Sequence, residues 1–234
     1  VREAANGHAF VARLEDATRR RIEVVSGAEE ARLTLRGVLA GLGPLGGRAL
    51  LFDIGGGSTE FTLLRDGTVV EAVSLRLGVV PLAERYPFPG PVAWDRYAAL
   101  RRHVAERLAR ELPPAFRRGG LDTLVATAGT ATTLAALDLA LPVYDAVRVQ
   151  GHRLRRDAIE RLLRELGART VAERAALPCV EPGRAEVIVH GIAVLTAAME
   201  AAAADALVVS DFGLREGLVV EALAPAATPD GPRI

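Results

Sequence analysis

The sequence lacks lysine altogether, and each of its 29 basic residues is an arginine. The 29 acidic residues bring the formal charge to zero, so nothing in the overall charge favours a nucleic-acid partner. The single cysteine, Cys179, excludes an internal disulfide framework and favours a reducing compartment, so we expect a cytoplasmic protein. Long apolar runs are also missing, so we expect no membrane partner. Any anion that this protein binds must be held by arginine or by the backbone.

What is present suits a soluble globular protein of one or two domains: 234 residues, half of them apolar and a quarter charged. The glycine-rich stretch "GPLGG" at residues 43–47 reads as a hinge between two blocks. We therefore predict one lobe that ends at residue 46 and a second over residues 47–223. The Pro-rich tail, residues 224–234, has no periodicity and is predicted to be disordered.

Hydrophobic periodicity predicts strands and helices in alternation. A strand over "RIEVVSG" is followed by a helix that begins directly after Ser26-Gly27. After the hinge come three strands, of which the last two are joined by an Asp66-Gly67 hairpin turn. Further along we expect helices near residues 94–112, 155–166, 184–202 and 213–223, strands at 124–127 and 206–211, and a helix after the strand at 124–127.

The stretch "LLFDIGGGSTEF" is the strongest local signal for chemistry. A short apolar run predicts a buried strand that ends at Asp53, and Gly55, Gly56 and Gly57 then turn the chain into a second strand. Glycines permit positive φ and carry no Cβ, so successive backbone N–H groups can line a concavity that binds anions. The sequence therefore predicts a phosphate loop between two carboxylates, Asp53 and Glu60.

The order of elements, with Asp and Gly-Thr at strand ends, predicts an α/β protein with ribonuclease H-like lobes, as in the actin/sugar-kinase/heat-shock chaperone superfold. Six motifs narrow the resemblance: "VREAANGHAF", "IEVVSGAEEARLTLRGV", "DIGGGSTE", "TAGTATTLAAL", "GRAEVIVHGIAVL" and "VSDFGLREGL". In this order and approximate spacing they resemble the exopolyphosphatase/guanosine pentaphosphate phosphohydrolase (Ppx/GppA) family, over nearly all of the chain. The resemblance implies hydrolysis of terminal phosphoanhydride bonds of inorganic polyphosphate or of guanosine pentaphosphate.

The resemblance also implies roles for the acidic residues. Glu30, the second glutamate of "SGAEEARL", is the expected base that orients or deprotonates the attacking water. Adjacent helical positions lie about 100° apart, so Glu29 is expected to face elsewhere. Taken without the resemblance, both are also favourable first-turn acids that complement the helix dipole. Asp53 and Glu60 are expected to hold Mg²⁺ or Mn²⁺ against the phosphate oxygens, although Asp53 could cap a turn and Glu60 could face solvent.

Phosphate contacts are expected from the glycine loop and from three further places. Ser58 adds a hydroxyl donor to the loop. Gly129 and Thr130 form a second small-residue turn, for which ordinary turn chemistry is the alternative. Arg2 and Arg184 correspond to family arginines linked to phosphate, whereas an isolated helical arginine is more often a solvated surface group. The four histidines show no metal-ligand spacing.

One departure from the family pattern bears on activity. Family members open with a "DxGTNS"-like phosphate loop some seventy or more residues before the "VREAANGHAF" motif, and this sequence contains no such loop. We therefore expect the first lobe to be incomplete, and activity of the chain as it stands is in question. The alternatives are a non-catalytic remnant that binds phosphate or nucleotide and, less favoured by the Glu-Glu motif, a kinase of the same superfold. A homodimer is left open.

Overall fold

A computed structural model describes residues 6–224 of the chain. Within them, six strands form one sheet with the order β3-β2-β1-β4-β6-β5. Strands β1, β4 and β6 run parallel to one another. Strand β2 pairs antiparallel with β1, β3 with β2, and β5 with β6. The strands are β1 (Arg48–Ile54), β2 (Thr59–Arg65), β3 (Thr68–Leu75), β4 (Thr123–Thr127), β5 (Arg153–Arg155) and β6 (Ala206–Val209).

Ten α-helices and one short 3₁₀ helix, Pro114–Arg117, accompany the sheet in the described part. They are α1 (Gly7–Thr18), α2 (Gly27–Leu42), α3 (Val79–Arg85), α4 (Trp94–Glu111), α5 (Ala128–Asp138), α6 (Ala146–Val149), α7 (Arg156–Gly167), α8 (Val171–Ala175), α9 (Pro182–Ala201) and α10 (Leu214–Leu223). No helix among residues 6–224 has the length and apolar character needed to cross a membrane.

Strand β1 lies at the centre of the sheet and is buried on both faces, as its apolar sequence requires. On one face Leu50, Phe52 and Ile54 join a large core with α4, α5, α7 and α9. On the other face Ala49 and Leu51 pack with side chains of α2 and its neighbourhood, including Leu35 and Val38. The sheet is therefore covered on both sides, which fixes the ends of its strands in place.

The predicted hairpin is confirmed. Strands β2 and β3 are joined at Asp66 and Gly67, whose φ angles are +50° and +76°. Two successive left-handed residues are what a two-residue hairpin turn of type I′ requires, and Asp-Gly is a preferred sequence for it.

The strand predicted over "RIEVVSG" is wrong. The described residues 19–26 contain no strand pairing, and they connect α1 to α2 without regular structure. A β-strand needs a neighbour that satisfies its backbone groups, and no strand in the described part of the chain pairs with this segment. Conversely β5, only three residues long with two arginines, carries no alternating apolar pattern and was not predicted.

Helix α2 packs tightly against α10. A Cβ on Gly37 would lie 2.0 Å from the carbonyl oxygen of Gly213, and one on Gly217 would lie 1.9 Å from that of Leu33. Glycine is needed at both positions because the two backbones approach without room for side chains. Helix α2, from the segment assigned above to a first lobe, thus forms one packed body with the sheet. The boundary at residue 46 stays a prediction, and the tail lies outside the described residues beyond Ala224.

Candidate active site at the carboxyl edge of the sheet

The candidate residues gather where the parallel strands end. Asp53 is paired with Thr127 across β1 and β4, and Ala126 is paired with Val209 across β4 and β6. Neighbouring strands lie about 4.8 Å apart, so the segments that follow these three strands emerge side by side. Ligands of open α/β sheets bind in the crevice at this edge.

The glycine loop, residues 55–58, is held open by its neighbours. The N–H of Gly55 donates to the carbonyl of Ser58 at 2.9 Å, and the carbonyls of Gly55 and Gly56 accept from Val79 at 3.1 Å and Val80 at 2.9 Å. The N–H groups of Gly56, Gly57 and Ser58 donate to no group of the described chain. Three successive donors are therefore available to an anion.

The reason for glycine in this loop differs in part from the one predicted. Gly55, Gly56 and Gly57 do not have positive φ, so left-handed backbone is not what this loop needs. The absence of side chains matters instead, because a Cβ on Gly55 would lie 3.1 Å from the Ser58 carbonyl oxygen. Gly78, which the sequence analysis did not single out, is under a stronger constraint: its Cβ would lie 2.3 Å from the Gly56 carbonyl oxygen.

Asp53 and Glu60 are directly opposite each other on β1 and β2. Glu60 is only 5% exposed, and its Oε1 accepts hydrogen bonds from Ser58 Oγ at 2.6 Å and from Ser74 Oγ at 2.7 Å. Burial raises the pKa of Asp53 to about 7, and the charges of Glu60 and Glu30 contribute further. An interaction with the buried Thr34 hydroxyl acts on the pKa in the opposite direction. Excess negative charge at this point favours a bound cation.

Asp53 and Glu60 suit Mg²⁺ better than they suit a metal whose ligands all come from the protein. The described residues contain no group of three or more His, Cys, Asp or Glu side chains that could enclose an ion. Mg²⁺ is usually held by one or two carboxylates together with waters and phosphate oxygens, which matches two adjacent carboxylates beside a phosphate loop.

Glu30 faces the glycine loop, whereas Glu29 does not. Ser26 caps helix α2, and Glu30 in its first turn lines a cavity of about 380 Å³ together with Gly57 and Ser58. Glu29 instead accepts two hydrogen bonds from Arg32, at 2.9 and 2.6 Å. The remaining walls of the cavity are mostly apolar and come from α1, the connector to α2 and α10: Phe10, Val11, Leu14, Ile22, Glu23, Val24, Val25 and Leu214.

The second small-residue turn is built around Arg184. A Cβ on Gly129 would lie 2.0 Å from Nη2 of Arg184, so the guanidinium lies directly on the backbone at the start of α5. Arg184 makes no ion pair or hydrogen bond with other described residues, and burial lowers its pKa although Glu181 acts to raise it. A partly buried cation without a bound counterion is suited to an anionic ligand. Thr130, by contrast, is fully buried against Gly191, so the structure does not bring it to the surface at this turn.

A larger cavity, of about 610 Å³, adjoins this turn and was not foreseen from the sequence. Arg184 and Gly129 lie at its wall together with Tyr144, Asp211 and Arg215. The Tyr144 hydroxyl donates to Asp211 Oδ1. These residues come from distant parts of the chain, and only the motif "VSDFGLREG" gave any signal near two of them. Arg2 lies outside the described residues.

The comparisons with known proteins agree with this architecture. The family model of the Ppx/GppA phosphatase family matches residues 1–225. Exopolyphosphatase 2 of Mycobacterium tuberculosis is 37% identical over 205 residues, which are 85% of this chain and 63% of the relative. Exopolyphosphatase 1 of the same species is 33% identical over 223 residues, which are 95% of this chain and 64% of the relative. The chain thus spans somewhat less than two thirds of the length of these relatives.

Solved structures give the same result for the fold. An exopolyphosphatase from Cytophaga hutchinsonii superimposes on this chain with a TM-score of 0.84 at 27% sequence identity. The match covers 95% of this chain and 72% of the solved chain. The Aquifex aeolicus member of the Ppx/GppA family gives a TM-score of 0.81 at 31% identity, over 95% of this chain and 71% of its own. The predicted α/β fold class of the actin-like superfold is confirmed.

Proposed function

The chain belongs to the Ppx/GppA phosphatase family, and on this premise we propose that it takes part in hydrolysing terminal phosphoanhydride bonds of inorganic polyphosphate. The observation that carries the proposal is that Glu30 lines one cavity with Gly57 and Ser58 of the glycine loop. A carboxylate that faces a phosphate loop is in a position to act on a water between them. The names of the relatives, exopolyphosphatases 1 and 2, support polyphosphate as the substrate.

In the proposed mechanism the terminal phosphate lies on the open N–H groups of the glycine loop. These donors, with the Ser58 hydroxyl, stabilise charge on the phosphate oxygens as the bond to the leaving phosphate breaks. Glu30 accepts a proton from the attacking water or orients it.

Asp53 and Glu60 are the residues that would hold a divalent cation, Mg²⁺ or Mn²⁺. Such an ion would neutralise charge on the phosphate oxygens. Their placement opposite each other at the base of the loop supports this role. Arg184 on Gly129 would bind a phosphate farther from the reacting bond, one strand away along the same edge.

Guanosine pentaphosphate is the second candidate substrate, and the cavity of about 610 Å³ favours it. Its walls carry two carboxylates, Asp211 and Glu181, beside two arginines, Arg184 and Arg215, so they are less basic than a site for a long chain of phosphates alone would be. A nucleoside suits them better, because Asp211 can accept hydrogen bonds from base N–H groups and the Tyr144 ring offers a stacking surface. If this substrate is correct, Asp211→Ala should weaken turnover of guanosine pentaphosphate and leave that of polyphosphate unchanged.

The test of the main proposal is phosphate release from polyphosphate by the purified protein, first with EDTA and then with Mg²⁺ restored. Hydrolysis should stop and resume. Polyphosphate that binds without release of phosphate, under both conditions, would instead favour the non-catalytic alternative. Phosphate release that continues unchanged in EDTA would rule out the proposed cation but would still support the proposed hydrolase activity. The homodimer, the cytoplasmic location and the lack of a nucleic-acid partner stay predictions.

A further inference from the structure

Ser74 on β3 reaches the carboxylate of Glu60 from the neighbouring strand. The two residues are directly paired across β2 and β3, and Ser74 Oγ lies 2.7 Å from Glu60 Oε1. Ser58 Oγ lies 2.6 Å from the same oxygen atom. One carboxylate oxygen thus accepts from two hydroxyls, of which one belongs to the phosphate loop and the other does not.

The two serines differ in whether a bound phosphate would compete for their hydrogen bond to Glu60. A hydroxyl has a single proton to donate. If Ser58 donates to a phosphate on the glycine loop, its proton is no longer available to Glu60. Ser74 lies a full strand beyond the loop, so its hydroxyl keeps its partner while the phosphate binds.

We propose that Ser74 is a positioning residue that holds the Glu60 carboxylate in its cation-binding orientation while the Ser58 hydroxyl turns to the substrate phosphate. The inference rests on the proposed function, since it assumes a cation at Glu60 and a phosphate on the loop. It assigns to Ser74 no contact with the substrate or the reacting atoms.

A purely structural role for Ser74 would look different. Its side chain is exposed on β3, so its removal leaves no cavity in the core. Because Ser58 still donates to Glu60 in the free protein, the free energy of unfolding should change little. Any large effect on ligand binding would therefore come through Glu60. The effect should also depend on whether Ser58 is occupied by a phosphate, which a general weakening of the strand would not produce.

The experiment measures Mn²⁺ affinity by electron paramagnetic resonance, with and without saturating inorganic phosphate. Without phosphate, Ser74→Ala should bind Mn²⁺ nearly as well as the parent, because Ser58 still donates to Glu60. With phosphate the variant should lose about tenfold in Mn²⁺ affinity, the size expected for one hydrogen bond to a charged group. The double variant Ser58→Ala with Ser74→Ala should show this loss in both conditions.

Two controls distinguish an effect on the orientation of Glu60 from a general effect on strand β3. Ser74→Thr keeps the hydroxyl and should restore affinity, whereas Thr68→Ala removes an exposed hydroxyl elsewhere on the same strand and should change nothing. Equal losses with and without phosphate, or no loss in either, would overturn the inference while leaving the proposed function intact. Failure of the parent protein to bind Mn²⁺ at all would overturn the proposed cation site, and the inference with it.

Discussion

Asp53 and Glu60 face each other across two antiparallel strands, and neither has a basic residue opposite it in the register. Like charges placed directly opposite in a sheet are destabilising. The chain nonetheless places both here, where Glu60 is 5% exposed and burial raises the pKa of Asp53 to about 7. Such a pair weakens the fold in the absence of a ligand, which is a common property of binding sites.

The first prediction concerns stability against pH. The pKa of Asp53 rises from 3.8 to about 7 on folding, so the folded state binds a proton that the unfolded state releases between these values. The free energy of unfolding should therefore fall as pH rises across that window. Asp53→Asn removes this contribution and should be more stable than the parent at pH 8.5, by up to about 4 kcal/mol. The gain should shrink as pH is lowered towards 4.

Urea unfolding without divalent cations at several pH values provides the measurement. Asp205→Asn is the matched control, because its side chain is 96% exposed and should alter stability little at any pH. A gain for Asp53→Asn that did not depend on pH would mean that the carboxyl does not titrate in this range.

The second prediction separates the two adjacent glutamates of α2. Glu30→Gln keeps the shape of the side chain but removes the base, so turnover should fall by roughly 10²–10⁴-fold while polyphosphate still binds. Glu29→Gln removes only a partly exposed ion pair with Arg32 and should leave turnover nearly unchanged. Steady-state phosphate release and equilibrium binding measure the two effects. Similar losses in both variants would contradict the assignment of Glu30.

The third prediction uses the contact of Gly129 with Arg184. A methyl group on Gly129 would occupy the place of the guanidinium, so Gly129→Ala should displace Arg184 without removing its charge. We expect weaker polyphosphate binding, in the same direction as Arg184→Ala, and little further loss when the two changes are combined. Gly183→Ala, a neighbouring helical glycine with no atom within 4 Å of its Cβ, is the control. Additive losses would mean that the two residues act separately.

The parts of the site that the sequence could reveal are local ones. The glycine loop and its flanking carboxylates lie within eight residues of each other, so their pattern alone predicts the strand, the turn and the two opposed acids. Ser74 reaches Glu60 only through strand register, and Gly78 reaches the glycine loop only through the start of α3; neither carries a distinctive local pattern. Tyr144 and Asp211 are 67 residues apart in the sequence, so only the tertiary structure shows that they meet.

The one wrong strand has the same explanation. The segment "RIEVV" has the composition of a strand, but pairing depends on a neighbour, which composition does not report. The long helices could be predicted, because their hydrogen bonds are internal and their caps are local: Ser26 before α2 is an example, with its side chain accepting from Glu29 N at 3.2 Å. The short helices α3, α6 and α8 have too few turns to show a periodicity, and the sequence did not predict them.

The last prediction tests whether α2 is a fixed part of the site. Helix α2 carries Glu30 and is held by backbone contact with α10 at Gly37 and Gly217. In Gly37→Ala the new methyl group would lie 2.0 Å from a carbonyl oxygen of a tightly packed turn, so α2 must move and Glu30 with it. Turnover should fall, and stability should drop by about 1–3 kcal/mol, the usual cost of overpacking. Gly46→Ala, whose Cβ would meet nothing within 4 Å, should change neither.

Hydrogen exchange shows the same coupling directly. In the parent protein the amides of residues 33–38 should exchange as slowly as those of residues 50–54 and 124–127, because α2 is buried between the sheet and α10. Residues 20–26 have no regular structure and should exchange fast. In Gly37→Ala the protection of α2 should fall while that of the sheet persists. If α2 already exchanged as fast as residues 20–26 in the parent, Glu30 would not be held against the glycine loop, and the chain would need a further element to complete its active site.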